Sequence, residues 1–175
     1  MKLFLDMDGV LCDFFGRALQ VHEKQELAES WPPGEWDMPS VIGVSKTQFW
    51  KQIKKRRDFW RTLRPTPEFE RLIALADSID PAWHIASSPA HHVGSASGKL
   101  WWLQKHIDKG FRRFLLGPSK HLLAGTGRVL VDDSDRNIEE FCAAGGIGVL
   151  WPQPWNAMHA FTGDKVEYLT EVLSA

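Results

Sequence analysis

Lys2-Leu3-Phe4-Leu5-Asp6-Met7-Asp8-Gly9-Val10-Leu11 opens the chain with a short, mostly apolar run that breaks off into two aspartates and a glycine. Four residues are enough for a buried strand and too few for a helix of ordinary length. The same design returns downstream: Trp83 to Ser87, Phe114 to Leu116, Val129 to Val131 and Gly148 to Leu150 are further strand-sized runs. Between them the spacing predicts helices over Asp13 to about Glu26, Ser45 to about Arg57, Pro67 to about Ser78, Ser97 to about Lys109, and Ser134 to Ala144. Strands alternating with helices of this length predict an α/β fold, a three-layer, Rossmann-like parallel sheet covered on both faces.

One interval breaks the alternation. Between the first strand and the second the chain holds at least three helical segments, far more than a crossover needs, so part of it is expected to sit above the sheet. The reading is a core formed by 1–15 and 65–175, with a small helical cap inserted at 16–64.

The 175 residues suit one domain with one modest insertion. Twenty-one basic residues against 22 acidic ones create no global field for nucleic acid or an anionic membrane. Asp6, Asp8 and Asp13 interrupt the apolar start before it could serve as a signal peptide, and no run approaches the roughly 20 apolar residues of a membrane span. The expected setting is cytoplasmic. Cys12 and Cys142 lack metal or redox spacing and are read as two buried structural thiols in a reducing compartment. Nine tryptophans stand against a single tyrosine, and the loop Trp31 to Pro39 is rich in Pro and Gly.

In a parallel sheet, ligands bind at the carboxyl ends of the strands. There the chain places Asp6 and Asp8, then Ser87-Ser88-Pro89, then Gly117-Pro118-Ser119-Lys120, then Asp132-Asp133-Ser134-Asp135. Carboxylates crowded together repel, and an all-oxygen shell of this kind selects Mg²⁺. Lys120 and the Ser87 hydroxyl are suited to neutralise the equatorial charge of a phosphoryl group. Asp6 is placed to attack phosphorus, and Asp8, two residues on, to exchange the proton of the leaving alcohol and of the attacking water. Asp135 reads as a first-turn acid of the following helix. His91 and His92 have no partner spacing for zinc and read as surface or phosphate-rim residues.

Asp6-Met7-Asp8-Gly9-Val10-Leu11, Ser87, Lys120 and Asp132-Asp133 resemble the four ordered motifs of the haloacid dehalogenase-like hydrolase superfamily. The added stretches Asp13-Phe14, Phe59-Trp60, Leu63-Arg64-Pro65-Thr66-Pro67 and Ile85-Ala86-Ser87-Ser88-Pro89 resemble the cytosolic and mitochondrial 5′(3′)-deoxyribonucleotidases. That resemblance implies a phosphatase with Asp6 as nucleophile and Asp8 as acid/base. It implies Mg²⁺ held by the Asp6 carboxylate, the Asp8 backbone carbonyl and Asp133, with Asp132 in support. Phosphate contacts would fall on Ser87, Ser88 and Lys120, and a base and sugar pocket on Phe14, Trp50, Phe59 and Trp60. The implied partner is a small-molecule nucleotide, with no membrane and no nucleic acid, and the reading leaves room for a homodimer. The basic residue that often follows the paired aspartates in that family is Ser134 here, with Arg136 two residues later, and the stretches Trp31 to Pro39 and Trp151 to Trp155 carry none of the matching motifs, so substrate selectivity could differ.

Three other readings share parts of this pattern. A phosphatase of DNA 3′ ends or of small sugar phosphates would use the same catalytic set. A non-catalytic nucleotide- or nucleic-acid-binding module would use the scaffold alone, and Lys54-Lys55-Arg56-Arg57 is the run that would grip a phosphate backbone.

Overall fold

The computed structural model describes residues 1–174. Five strands, β1 (Lys2–Leu5), β2 (His84–Ser87), β3 (Phe114–Leu116), β4 (Arg128–Asp132) and β5 (Ile147–Leu150), form one parallel sheet in the order β3-β2-β1-β4-β5. Register aligns the strand ends: Leu5 pairs with Ile85 and Val131, Ser87 with Leu116, and Asp132 with Leu150. The residues just past Leu5, Ser87 and Asp132 therefore gather at one edge of the sheet.

Side chains alternate along a strand, which divides the core in two. Leu3 and Leu5, with Ile85, Val129, Val131 and Val149, face the larger cluster, where α4 (Phe69–Ile79), α5 (Val93–His106) and α7 (Lys165–Ser174) contribute Leu72, Trp102 and Leu169. Phe4, Ala86 and Leu130 face the other side and bury Phe141 of α6 (Asp135–Ala143). This is the three-layer sandwich that the alternation of elements predicts.

Between β1 and β2 lie α1 (Phe14–Val21), α2 (Met38–Ile42) and α3 (Lys46–Lys55), with 3-10 turns at Gln25–Ala28 and Trp60–Thr62. Helix α3 begins at a capping box, with Ser45 and Gln48 each bonding the other's backbone, and it buries Phe49 and Ile53 one turn apart. The chain leaves the sheet at Asp13 and returns beside its point of departure. Asp13 N–H donates to Arg64 O at 2.8 Å, Thr66 Oγ1 to Val10 O at 2.9 Å, and Trp102 Nε1 to Leu63 O at 2.7 Å.

Several boundaries differ from expectation. Helix α1 stops at Val21 because Glu23 takes a left-handed φ of 56°, which ends the helix well before Glu26. Helix α5 starts at Val93 rather than Ser97, since His92 Nδ1 accepts from Gly94 N–H and acts as its N-cap. The stretch Trp31 to Pro39, expected as loop, contains the start of α2, and α7 was not anticipated. Cys142 is exposed on α6, not buried as expected, whereas Cys12 is buried. No described helix is long and apolar enough to cross a membrane.

Candidate active site

Asp6 and Asp8 follow β1 directly, in a turn closed by Val10, Leu11 and Cys12 N–H groups that all point at Met7 O. Gly9 sits at the tightest point of this turn. Its φ is +77°, and a Cβ there would lie 2.1 Å from Asp133 Oδ2, so only glycine lets the first motif approach the fourth this closely.

Lys120 is the pivot of the buried charges. Its ammonium lies 2.8 Å from Asp6 Oδ1 and 2.5 Å from Asp132 Oδ2. Burial alone would lower its pKa, but the charges of Asp6 and Asp132 outweigh that and hold it above the usual lysine value. Asp132 is fully engaged. Besides Lys120 it accepts from Ser134 N–H at 2.9 Å and from Asn137 Nδ2 at 3.0 Å. Burial and the nearby charge of Asp6 nevertheless push its pKa up to about 6, against the opposing pull of Lys120. Burial, with the charges of Asp132 and Asp6, likewise raises Asp133.

A second buried lysine, absent from the sequence expectations, completes the floor. Lys99 of α5 is fully buried, 2.7 Å from Asp8 Oδ2, and donates to Ser87 Oγ at 3.1 Å. Two lysine–aspartate pairs thus stand side by side at the end of β1. Ser88 Oγ donates to Gly117 O at 3.2 Å, tying the loop after β2 to the loop after β3. Asp135 is the first-turn acid of α6, whose N-cap is Ser134, and it accepts from Ala157 N–H at 3.2 Å.

The donor set suits a hard divalent cation. One carboxylate oxygen from each of Asp6, Asp132 and Asp133 falls within 4.8 Å of the others. Asp6 Oδ1 is buried and meets Lys120 without hydrogen-bond alignment, so a donor or a cation is wanted there. Asp132 already spends its oxygens on Lys120, Ser134 and Asn137, which leaves Asp6 and Asp133 as the carboxylates with capacity to spare.

Above this floor lies a cavity of about 790 Å³. Asp6, Asp8, Ser87, Ser88, Lys120 and Asp133 line its base, and Phe14, Phe15, Trp50, Trp60 and Trp155 are among its walls. Of the four aromatic residues expected around a substrate, Phe14, Trp50 and Trp60 line the cavity and Phe59 does not. Phe59 is fully buried, edge-on to Phe14 at 5.5 Å and to Trp60 at 5.0 Å, so it backs the wall instead of facing the space. Trp60 reaches its place because α5 has Gly98 beneath it: a Cβ there would come within 2.8 Å of Trp60 Cβ. Trp155 and Phe15, not anticipated from sequence, stack at 4.6 Å. The run Lys54 to Arg57 lies exposed at the end of α3, outside the cavity.

The same fold is found in solved hydrolases. It superposes with a haloacid dehalogenase superfamily hydrolase, subfamily IA, variant 1, of Geobacter sulfurreducens PCA (TM-score 0.56, 15% identity, 98% of each chain). It also superposes with a hydrolase of Streptococcus pneumoniae TIGR4 (TM-score 0.56, 12% identity, 99% of this chain and 98% of that one). A third likeness is to a haloacid dehalogenase family hydrolase of Deinococcus radiodurans R1 with bound phosphate and sodium (TM-score 0.55, 15% identity, 96% of this chain and 87% of that one). At such identities the likeness is one of fold, the α/β fold of these haloacid dehalogenase-like hydrolases. Residues 1–172 match the model of the family described as 5′ nucleotidase, deoxy (Pyrimidine), cytosolic type C protein, and the chain belongs to that family. It is accordingly a phosphatase of the nucleotidase type. No curated protein matches the chain.

Proposed function

We propose that the chain hydrolyses nucleoside monophosphates in a Mg²⁺-dependent reaction that passes through an aspartyl phosphate on Asp6. The observation that carries this reading is the pairing of a lysine–carboxylate floor with an aromatic wall in one cavity. Lys120 lies 2.8 Å from Asp6, and Phe14, Trp50 and Trp60 line the space above. A phosphate belongs on the first surface and a nucleobase on the second. About 790 Å³ is within the usual range for a small-ligand site.

An Asp6 carboxylate oxygen attacks phosphorus as the ester P–O bond breaks, and Asp8 gives its proton to the departing alcohol. Water then attacks the phosphorus of the aspartyl phosphate while Asp8 takes the water's proton. The P–O bond to Asp6 breaks, inorganic phosphate leaves, and Asp6 is restored. Lys120 balances the charge that Asp6 shares with the phosphoryl oxygens, and the hydroxyls of Ser87 and Ser88 orient them. Lys99, 2.7 Å from Asp8, anchors the carboxylate that shuttles the proton. Asp6, the Asp8 carbonyl and Asp133 would hold Mg²⁺, with Asp132 supporting through Lys120. When bound, the ion supplies positive charge to the phosphoryl oxygens and relieves the repulsion among these carboxylates.

We take 16–64 as a cap that closes over the substrate and excludes water. The adjacency of departure and return at Asp13 and Arg64 supports this, because such a segment can move about two neighbouring strands of chain. Two free cysteines suit a cytoplasmic setting.

Phosphate release is to be measured from deoxy- and ribonucleoside 5′- and 3′-monophosphates, small sugar phosphates and a 3′-phosphorylated oligonucleotide. Each is run with Mg²⁺ and with EDTA, for wild type and Asp6→Asn. Metal-dependent release from mononucleotides, lost in Asp6→Asn, is the expected result. Release only from sugar phosphates or oligonucleotide ends would overturn the substrate, and release by Asp6→Asn at the wild-type rate would overturn the mechanism.

A further inference from the structure

The Trp31–Pro39 stretch and the strap that follows β5 meet in the fold. Gly34 N–H donates to Pro154 O at 2.8 Å, joining the Trp31–Pro39 stretch to the strap that follows β5. The ring of Phe15 lies between them, edge-on to Trp31 at 4.8 Å and stacked on Trp155 at 4.6 Å.

From this strap three side chains reach the reaction centre. Trp155 Nε1 donates to Asp133 Oδ2 at 2.8 Å. Asn156, fully buried, donates to Asp133 O at 2.9 Å and to Trp151 O at 2.8 Å. Gln153 Nε2 donates to Gly9 O. The strap therefore holds the glycine of the first motif and both the backbone and the side chain of Asp133.

We propose that Trp155 is a positioning residue: its indole N–H pins one oxygen of Asp133 and so presents the other to the divalent cation. The inference rests on the reading that Asp133 holds Mg²⁺, and it adds the residue that makes that ligand competent. Asp133 and Asp132 are contrasted neighbours. Asp132 is steered by Lys120, Ser134 and Asn137, whereas among the described residues Trp155 is the one hydrogen-bond donor to the Asp133 carboxylate. Without that donor the carboxylate is free to turn about its last bond, and ordering it becomes a cost of binding the ion. Steric closure supports the assignment. A Cβ on Gly9 would lie 2.1 Å from Asp133 Oδ2 and 3.2 Å from Trp155 Cζ2, so the carboxylate, the indole and the first-motif backbone share one packed contact. Donors behind metal-ligating carboxylates typically change metal affinity by about 10–100-fold.

The test uses the whole chain and Mn²⁺ as the probe, with free Mn²⁺ counted by electron paramagnetic resonance and thermal unfolding followed in parallel. Trp155→Phe keeps an aromatic ring for Phe15 and deletes only the N–H. It is expected to weaken Mn²⁺ binding about tenfold or more, to leave the Tm of the metal-free protein nearly unchanged, and to regain most of its kcat at saturating metal. Wild-type affinity in Trp155→Phe, or a loss of Tm with no loss of affinity, overturns the proposal. If Trp155→Phe does not fold, Trp155→His, which keeps a ring N–H, is compared with Trp155→Leu, and equal affinity in the two overturns it. Asp133→Asn separates the premise from the inference. Wild-type affinity in that variant would show that Asp133 holds no metal, whatever Trp155 does.

Discussion

Lys99 and Asp8 form a buried ion pair, Nζ to Oδ2 2.7 Å, in which the lysine is fully enclosed and the aspartate keeps contact with the cavity. The lysine end has been taken out of water and the carboxylate end has not, which makes the pair a device for holding Asp8 more than a source of stability. Lys99→Met replaces a buried charge with a side chain of similar length. It is expected to lower kcat by about 10²-fold, the low end for a misplaced proton carrier, while Tm stays level or rises. Steady-state kinetics and a thermal melt of the same preparation check both halves. A stable variant with wild-type kcat would remove Lys99 from the mechanism.

Gly9→Ala carries two penalties. The left-handed backbone at φ +77° costs an L-residue roughly 1–2 kcal/mol, and the new methyl would push the Asp133 carboxylate out of place. The expected outcome is a lower Tm together with a loss of activity greater than 10²-fold, in keeping with a displaced reacting group. Excess Mg²⁺ is not expected to restore it.

The metal-free protein is expected to lose stability as pH rises from about 4 to 7. The folded-state pKa of Asp132 is about 6, and that of Asp133 is also raised, in both cases chiefly by burial. Between the unfolded carboxylate value and these folded values the native state binds more protons than the unfolded one, so stability falls with increasing pH. Lys120, whose pKa is raised, stays charged across this window and does not reverse the sign. Melts in EDTA at pH 5 and pH 7.5 should show the lower Tm at pH 7.5, and added Mg²⁺ should raise Tm more at pH 7.5 than at pH 5. Burial lowers His22 and His106, which act in the opposite sense over this window, so the fall is read against Asp132→Asn, where it should shrink; an equal fall in both proteins would contradict the raised value of Asp132.

Trp50 lines the cavity from α3 and touches Phe14, with ring centroids 6.2 Å apart. Stacking a base on such a ring is worth about 1–3 kcal/mol. Trp50→Ala should therefore raise KM for nucleoside monophosphates by about tenfold or more while leaving KM for deoxyribose 5-phosphate nearly unchanged. Equal effects on the two substrates would place the base elsewhere.

Much of the centre was legible because it is written in short local motifs at the ends of strands. The run Lys2 to Leu5 followed by Asp6 and Asp8, and Val129 to Val131 followed by Asp132 and Asp133, needed only strand periodicity and the rule that ligands bind at carboxyl ends. Lys99 left a fainter mark. It falls on the buried face of α5 with Ser95, Trp102 and Leu103, at helical spacing, and a lysine inside an apolar stripe asks for a partner. Helix α7 was readable in the same way, from Val166 and Leu169. Phe59 departs from the sequence expectation because an aromatic next to Trp60 carries no sign of which ring faces the cavity and which backs it.

The sequence by itself determined the alternation of strands and helices that sets the fold, and the class of enzyme, since each depends on neighbours a few residues apart. Only the tertiary structure decided that Lys99 meets Asp8, that Trp155 meets Asp133, and that Gly34 meets Pro154. Those contacts join residues of different elements and loops, none of them neighbours in sequence, and they form where a twisted parallel sheet and its packed helices bring strand ends and loops into van der Waals contact. No local pattern encodes that distance, because it is the sum of every packing choice in between.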